Sequence, residues 1–156
     1  MIRFGCRERG INALAFCILL MVFLISPLFA QVAQNHVKAG RRYINQGKYP
    51  EAEKSFRAAI EADSAYLEAY RNLIDLKRRL KDPGAIVSIV EEALRRNPVM
   101  DISDKGHFHR IAARACLENN LFMEAFRHIE KARDYLEESE AISADFKVIK
   151  QKLANH

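Results

Sequence analysis

The chain has 156 residues, 49% of them hydrophobic, and carries 25 Lys and Arg against 20 Asp and Glu. That is the length of one domain, with enough apolar material for a packed core once the N-terminal segment is set aside. Three arginines and one glutamate fall in the first ten residues, which leaves 22 against 19 from Gln31 to His156, an excess too small to argue for nucleic acid.

Residues 1–30 read as a signal peptide or an uncleaved membrane anchor. Arg3, Arg7 and Arg9 precede Ile11 to Ala30, a stretch without a charge that runs through Leu14, Phe16, Ile18, Leu19, Leu20, Val22, Phe23, Leu24 and Ile25. Ser26 and Pro27 break the apolar run just before Ala30, a small residue of the kind signal peptidase cuts after, so cleavage between Ala30 and Gln31 is the first choice. About 20 apolar residues also suffice to span a bilayer once, and retention as an anchor is the alternative. Both place the remainder outside the cytoplasm, because basic residues ahead of an apolar segment hold the N-terminus inside. Cys17 follows the bulky Phe16, which speaks against lipidation, and only Cys116 lies in the body, so no internal disulfide staples it. A bacterial periplasm fits this set of features best.

From Ala33 onward the chain repeats itself. His36, Ala39, Ala52, Phe56, Ala59 and Ser64 return 34 residues later as Tyr70, Leu73, Ile86, Val90, Ala93 and Pro98. A third copy comes after 39 more, with His109, Ala112, Ala125, Ile129 and Ala132 in the same order; the five extra residues fall around Val99 to Lys105. Each copy reads as helix, tight turn, helix. Gly47 and Asn120 occupy matching turns and tolerate the left-handed conformation that ends a helix. In the second copy the turn is Lys81-Asp82-Pro83-Gly84, with Asp82 as a cap and Pro83 in the first helical position. Ile142, Phe146, Ile149 and Leu153 then make one apolar stripe opposite Lys147, Lys150, Gln151 and Lys152, which predicts an amphipathic capping helix over Ala141 to Ala154.

These residues resemble the tetratricopeptide repeat family over about Ala33 to Leu136. The first copy supplies Ala39-Gly40, Tyr43, Gly47, Tyr49, Ala52, Phe56 and Ala59; the second supplies Tyr70, Leu73, Ala93 and Pro98. His36 and His109 stand where the family has an opening aromatic, Lys77 and Cys116 where it has a later one, and Ser64 where it has proline. The resemblance implies an all-α, right-handed solenoid of about three helix pairs (33–66, 67–100 and 106–139, within 31–140), closed by a cap over 141–156. One pair cannot bury its own apolar face, whereas three stacked pairs with a cap can.

The family lines a concave peptide-binding groove with the first helix of each pair. That implies a groove formed by Lys38, Arg41 and Asn45, then Arg71, Asn72, Asp75 and Arg78, then His107, Arg110 and Arg114. Guanidinium groups bind carboxylates bidentately, so the expected partner is a protein or peptide, acidic or presenting its C-terminal carboxylate. Asn72 sits where some members clamp such a carboxylate, but Val37 and Arg41 replace the rest of that clamp. The bland alternative is that these arginines are solvated faces, paired with acids at i to i+4.

Nothing in the sequence calls for catalysis, a metal or another cofactor. His107 and His109, two apart, face different sides of a helix, and no cysteine or carboxylate completes a ligand set around them. His36 and His109 are expected in packing positions, and Cys116 as a buried thiol. The run Lys77-Arg78-Arg79 with Lys81 ends a helix, where cations favour the dipole, and lacks the interleaved aromatics of a nucleic-acid patch. The expectation is therefore a non-catalytic binding or scaffold module of the cell envelope, touching the membrane only through an uncleaved N-terminal segment. A self-assembling homo-oligomer and a small helical enzyme or enzyme subunit are the competing readings.

Overall fold

The computed structural model describes residue 15, residues 29–136 and residues 139–155. Apart from Ala15, the apolar run of the leader up to residue 28 lies outside the described residues. Phe29 and Ala30 are already helical and belong to a helix that continues to residue 45. Among the described residues no helix is long and apolar enough to cross a membrane.

The chain is an all-α solenoid: α1 (29–45) pairs with α2 (Tyr49–Ala62), α3 (Leu67–Arg79) with α4 (Pro83–Arg96), α5 (Ile102–Glu118) with α6 (Phe122–Tyr135), and α7 (Glu140–Ala154) closes the stack. From α2 onward each helix packs on its neighbours in the chain, and α7 also touches α5. That order results from short connections, which force consecutive helices to lie antiparallel side by side.

The three turns inside the pairs share one device. Gly47, Lys81 and Asn120 each adopt positive φ, at 71°, 55° and 59°. After each of them the next amide reaches back five residues, Lys48 N–H to Tyr43 O, Asp82 N–H to Lys77 O and Leu121 N–H to Cys116 O, at 2.9 to 3.0 Å. The left-handed residue itself donates three residues back, to Ile44, Arg78 and Leu117. This pair of bonds satisfies carbonyls that a helix end leaves open. The turn signal at Gly47 and Asn120 is thus realised, and Lys81 performs the same backbone task without being glycine or asparagine. Asp82 caps α4 by accepting from Ala85 N–H at 3.0 Å, as expected from its place before Pro83.

The five additional residues before the third pair turn out to be mostly helix. Set against the second pair, α5 would begin at Gly106; it begins four residues earlier, at Ile102, capped by Asp101, which accepts from Ser103 N–H at 3.0 Å. The insertion leaves Val99 at 94% and Ile102 at 62% exposure.

Small residues set how closely the helices approach. Gly40 in α1 faces the Phe56 ring of α2 so tightly that a β-carbon there would overlap the ring. Gly106 stands in the same relation to Leu136. Around Phe56, Tyr70, Leu73, Ile89 and Phe108 one apolar cluster runs from α1 to α5, and a second, containing Cys116, Ile129, Ile142 and Ile149, joins α5 and α6 to α7. Cys116 is buried, and that burial pushes its thiol above the usual range. The cap docks through Phe146, whose ring lies 5.6 Å from that of Phe126 and beneath the Arg133 guanidinium at 4.5 Å.

Candidate functional site

The residues expected in the groove come from α1, α3 and α5. The fold gathers most of them into ion-paired clusters that bridge neighbouring pairs. Arg41 on α1 pairs with Glu68 on α3 and donates from Nε to Asn72 Oδ1 at 2.9 Å. Asn72 in turn donates to the Glu68 carbonyl at 2.6 Å, and the Tyr66 hydroxyl donates to Glu68 Oε2 at 2.5 Å. The Tyr66 hydrogen bond, supported by Arg41, holds the Glu68 carboxyl below its ordinary range.

One pair further along, Arg71 on α3 binds Asp104 on α5. Beyond that, Arg110 on α5 donates to Asp145 on α7 at 2.8 Å, and Arg114 approaches the same carboxylate at 3.9 Å. Three times, an arginine on a first helix meets an acid two helices further along, the last of them on the capping helix α7. Two of these contacts keep close to the period of the fold, with Arg71 and Asp104 33 apart in sequence and Arg110 and Asp145 35 apart, while Arg41 and Glu68 are 27 apart. The second helices carry a parallel set. Arg57 meets Glu92 at 2.6 Å and Arg96 meets Glu61 at 2.7 Å.

The first helices are consequently less basic than their arginines alone imply. Pairing at i to i+4 is not the main reason: Asp75 with Arg78 at 2.6 Å is the one contact of the short-range kind among these groove residues, and the rest reach across repeats. Glu68, Asp104 and Asp145 are the partners that a reading of the first helices for cations passes over. A visible signal does exist for two of them, in an acid standing about one repeat after Arg71 and after Arg110.

Beside these first helices lies an open cleft. It has a volume of about 430 Å³ and lies where α3, α4 and α5 meet. Arg78, His107, Arg110 and Arg114 line it with Glu118, and Ile86, Ile111 and Ala115 supply its apolar surface. The Arg78 and Arg114 side chains are 56% and 63% exposed, against 27% for Arg110. Those two guanidiniums are therefore the more exposed, Arg78 pairing only within its own helix, while Arg110 is committed to α7. Lys38 and Asn45, on α1, are not among the residues that line this cleft.

His107 and His109 do face opposite ways. His107 opens into the cleft, whereas His109 is only 8% exposed and stacks on Tyr135 with ring centres 5.8 Å apart. His36 on α1 is half-buried. His109 also meets a residue that sequence spacing does not suggest. Its Nδ1 lies 3.0 Å from Nδ1 of His128 on α6, one ring donating and the other accepting.

No family model and no curated relative matches the chain. Solved structures do. The first tetratricopeptide repeat domain of Spaghetti (RPAP3), bound to the HSP90 peptide SRMEEVD, is similar with a TM-score of 0.65 at 22% identity, over 80% of this chain and 95% of that one. The N-terminal domain of stress-induced protein-1 from C. elegans has a TM-score of 0.70 at 16% identity, over 78% and 97%. The Yersinia enterocolitica type III secretion chaperone SycD, in complex with a peptide of the translocator YopD, has a TM-score of 0.61 at 19% identity, over 77% and 93%. The chain therefore has the tetratricopeptide repeat fold, an all-α solenoid of three helix pairs and a capping helix.

Proposed function

We propose that this solenoid is a non-catalytic module that captures a peptide in the cleft between α3 and α5. The observation that carries this reading is the cleft itself, with exposed Arg78 and Arg114 beside an apolar surface of Ile111 and Ala115. Such a combination suits a short segment that offers a carboxylate and an aliphatic side chain together, because a guanidinium binds the first while the second is removed from water. Peptide complexes of two proteins with the same fold, RPAP3 with an HSP90 peptide and SycD with a translocator peptide, support the mode of binding. The partner is an acidic segment or a free C-terminus. Residues 1–30, basic and then apolar, support a place for the module in the cell envelope, facing the periplasm.

The test is affinity capture with crosslinking from an envelope extract. Contacts between repeats decide the choice of variants. Reversing Arg71 or Arg110 would set like charges against Asp104 or Asp145 across a repeat boundary. Arg78→Glu with Arg114→Glu instead changes exposed cleft charge and disturbs only the Asp75 pair within α3 and the longer approach of Arg114 to Asp145. The double variant should keep its helical circular dichroism and lose the crosslinked partner. Capture at the wild-type level would exclude the cleft as the site.

A further inference from the structure

The cleft proposed for the peptide shares two of its arginines with the capping helix. Arg110 and Arg114 lie one helical turn apart on α5, and both line the cleft. Both also face one carboxylate of α7. Asp145 Oδ2 accepts from Arg110 Nε at 2.8 Å, and Asp145 Oδ1 stands 3.9 Å from Arg114 Nε. Each oxygen is turned to its own guanidinium, which is how the carboxylate of a bound peptide would meet the same two side chains.

Docking of α7 does not call for an acid at this place. Ile142, Asp145 and Ile149 follow one another at spacings of three and four, so the carboxylate sits on the docking face, between two buried isoleucines. With Ile142 and Ile149 buried and Phe146 against Phe126, the helix stays seated when the carboxylate turns away. The Asp145 side chain is 20% exposed and that of Arg110 27%, so the pair is open to water. An ion pair in contact with water contributes little and exchanges readily.

Taking the cleft as the peptide site, we propose that Asp145 is a built-in competitor there: its carboxylate occupies Arg110, with Arg114 beside it, until the carboxylate of an acidic segment takes its place. The exchange sets one anion in place of another at the same guanidinium, so its cost is small and it is reversible. Once Asp145 lets go, Arg110 joins the more exposed Arg78 and Arg114, and the ligand meets three guanidiniums instead of two. The affinity of the cleft is thereby tied to the seating of the cap. By linkage, a bound ligand weakens the hold of α5 on Asp145 to the same degree.

Two measurements on the full chain test this. The first uses no peptide: phenylglyoxal labels accessible guanidiniums, and mass spectrometry follows each arginine. Asp145→Asn should speed labelling of Arg110 at least twofold and leave Arg57, paired with Glu92 on the second helices, unchanged. The second is titration with a fluorescently labelled synthetic peptide, Gly-Gly-Glu-Glu-Leu with a free C-terminus. Asp145→Asn should bind it roughly two- to fivefold more tightly than the parent, the most that release of a partly exposed ion pair supplies. Asp104→Asn makes the same change in net charge and breaks the Arg71 pair, which does not line the cleft, so it should bind as the parent does. Asp145→Ser should behave as Asp145→Asn does, and circular dichroism checks that both are folded. An unchanged labelling rate at Arg110, or equal peptide affinity in parent and both Asp145 variants, overturns the role of Asp145 and leaves the cleft as the peptide site. Absence of binding in parent and variants alike overturns both.

Discussion

His109 and His128 are the residues at which environment most changes chemistry. Both lie below the ordinary imidazole value in the folded chain, His109 at about 4, because burial penalises the charged ring and positive charge nearby, Lys131 included, repels a second one. The unfolded chain has no such penalty and takes up protons through about pH 6.5. Stability is therefore intact above that value and falls as the pH drops from 6.5 towards 4, where the folded rings finally charge. For His109 the loss between pH 7 and pH 5 is on the order of 2 kcal/mol. Urea unfolding at those two pH values should show a smaller difference for His109→Phe than for the parent, since the carboxylates contribute alike to both. Equal differences would remove this pair from the acid response.

At the scale of the element, the helix turns and the glycine contacts explain why the pairs form as they do. Lys81 does at its turn what glycine does at Gly47, and an L-residue in the left-handed region costs about 1 kcal/mol. Its side chain is exposed, so Lys81→Gly removes that cost without removing packing, and thermal unfolding should shift upward by the equivalent of about 0.5–1 kcal/mol. A lowered midpoint would mean that the lysine side chain has a role of its own. Gly40 is the opposite case. A methyl group there must displace the fully buried Phe56 ring, and overpacking of this kind costs about 1–3 kcal/mol. Gly40→Ala should lower the melting temperature by several degrees, with Gly40→Ala in a Phe56→Leu background recovering part of the loss. No rescue in that background would place the cost in the backbone.

The whole molecule is a one-dimensional stack, in which each pair is held by the apolar face of its neighbour and by arginines that reach one repeat along. Singly, exposed ion pairs of this kind contribute about 0–1 kcal/mol. Their consistent direction along α1, α3, α5 and α7 acts on register more than on strength. The cap is therefore doubly engaged, burying Ile142 and Ile149 against α5 and α6 and presenting Asp145 to Arg110. A chain ending at Leu136 exposes the apolar surface that α7 covers and takes Asp145 away from Arg110. It should unfold at lower denaturant, bind a hydrophobic dye and elute as an aggregate on size-exclusion chromatography, while point substitution Asp145→Asn alone should change the midpoint only slightly. Unchanged unfolding of the truncated chain would show that the solenoid needs no cap.

Helix order, pairing and the cap are legible in the amino-acid sequence, because helical periodicity, turn residues and a period of 34 are local or evenly spaced signals. Even the insertion before the third pair is countable there, although only the fold reveals that it lengthens α5. The groove is legible as a set of helices but not as a charged surface. Arg71 and Arg110 look like free cations until the superhelix brings Asp104 and Asp145 beside them, whereas Arg78 and Arg114 keep more exposed side chains. The meeting of His109 with His128 is of the same kind. The two lie on different helices, 19 residues apart, and their contact depends on how α5 and α6 pack, which spacing along the chain does not announce.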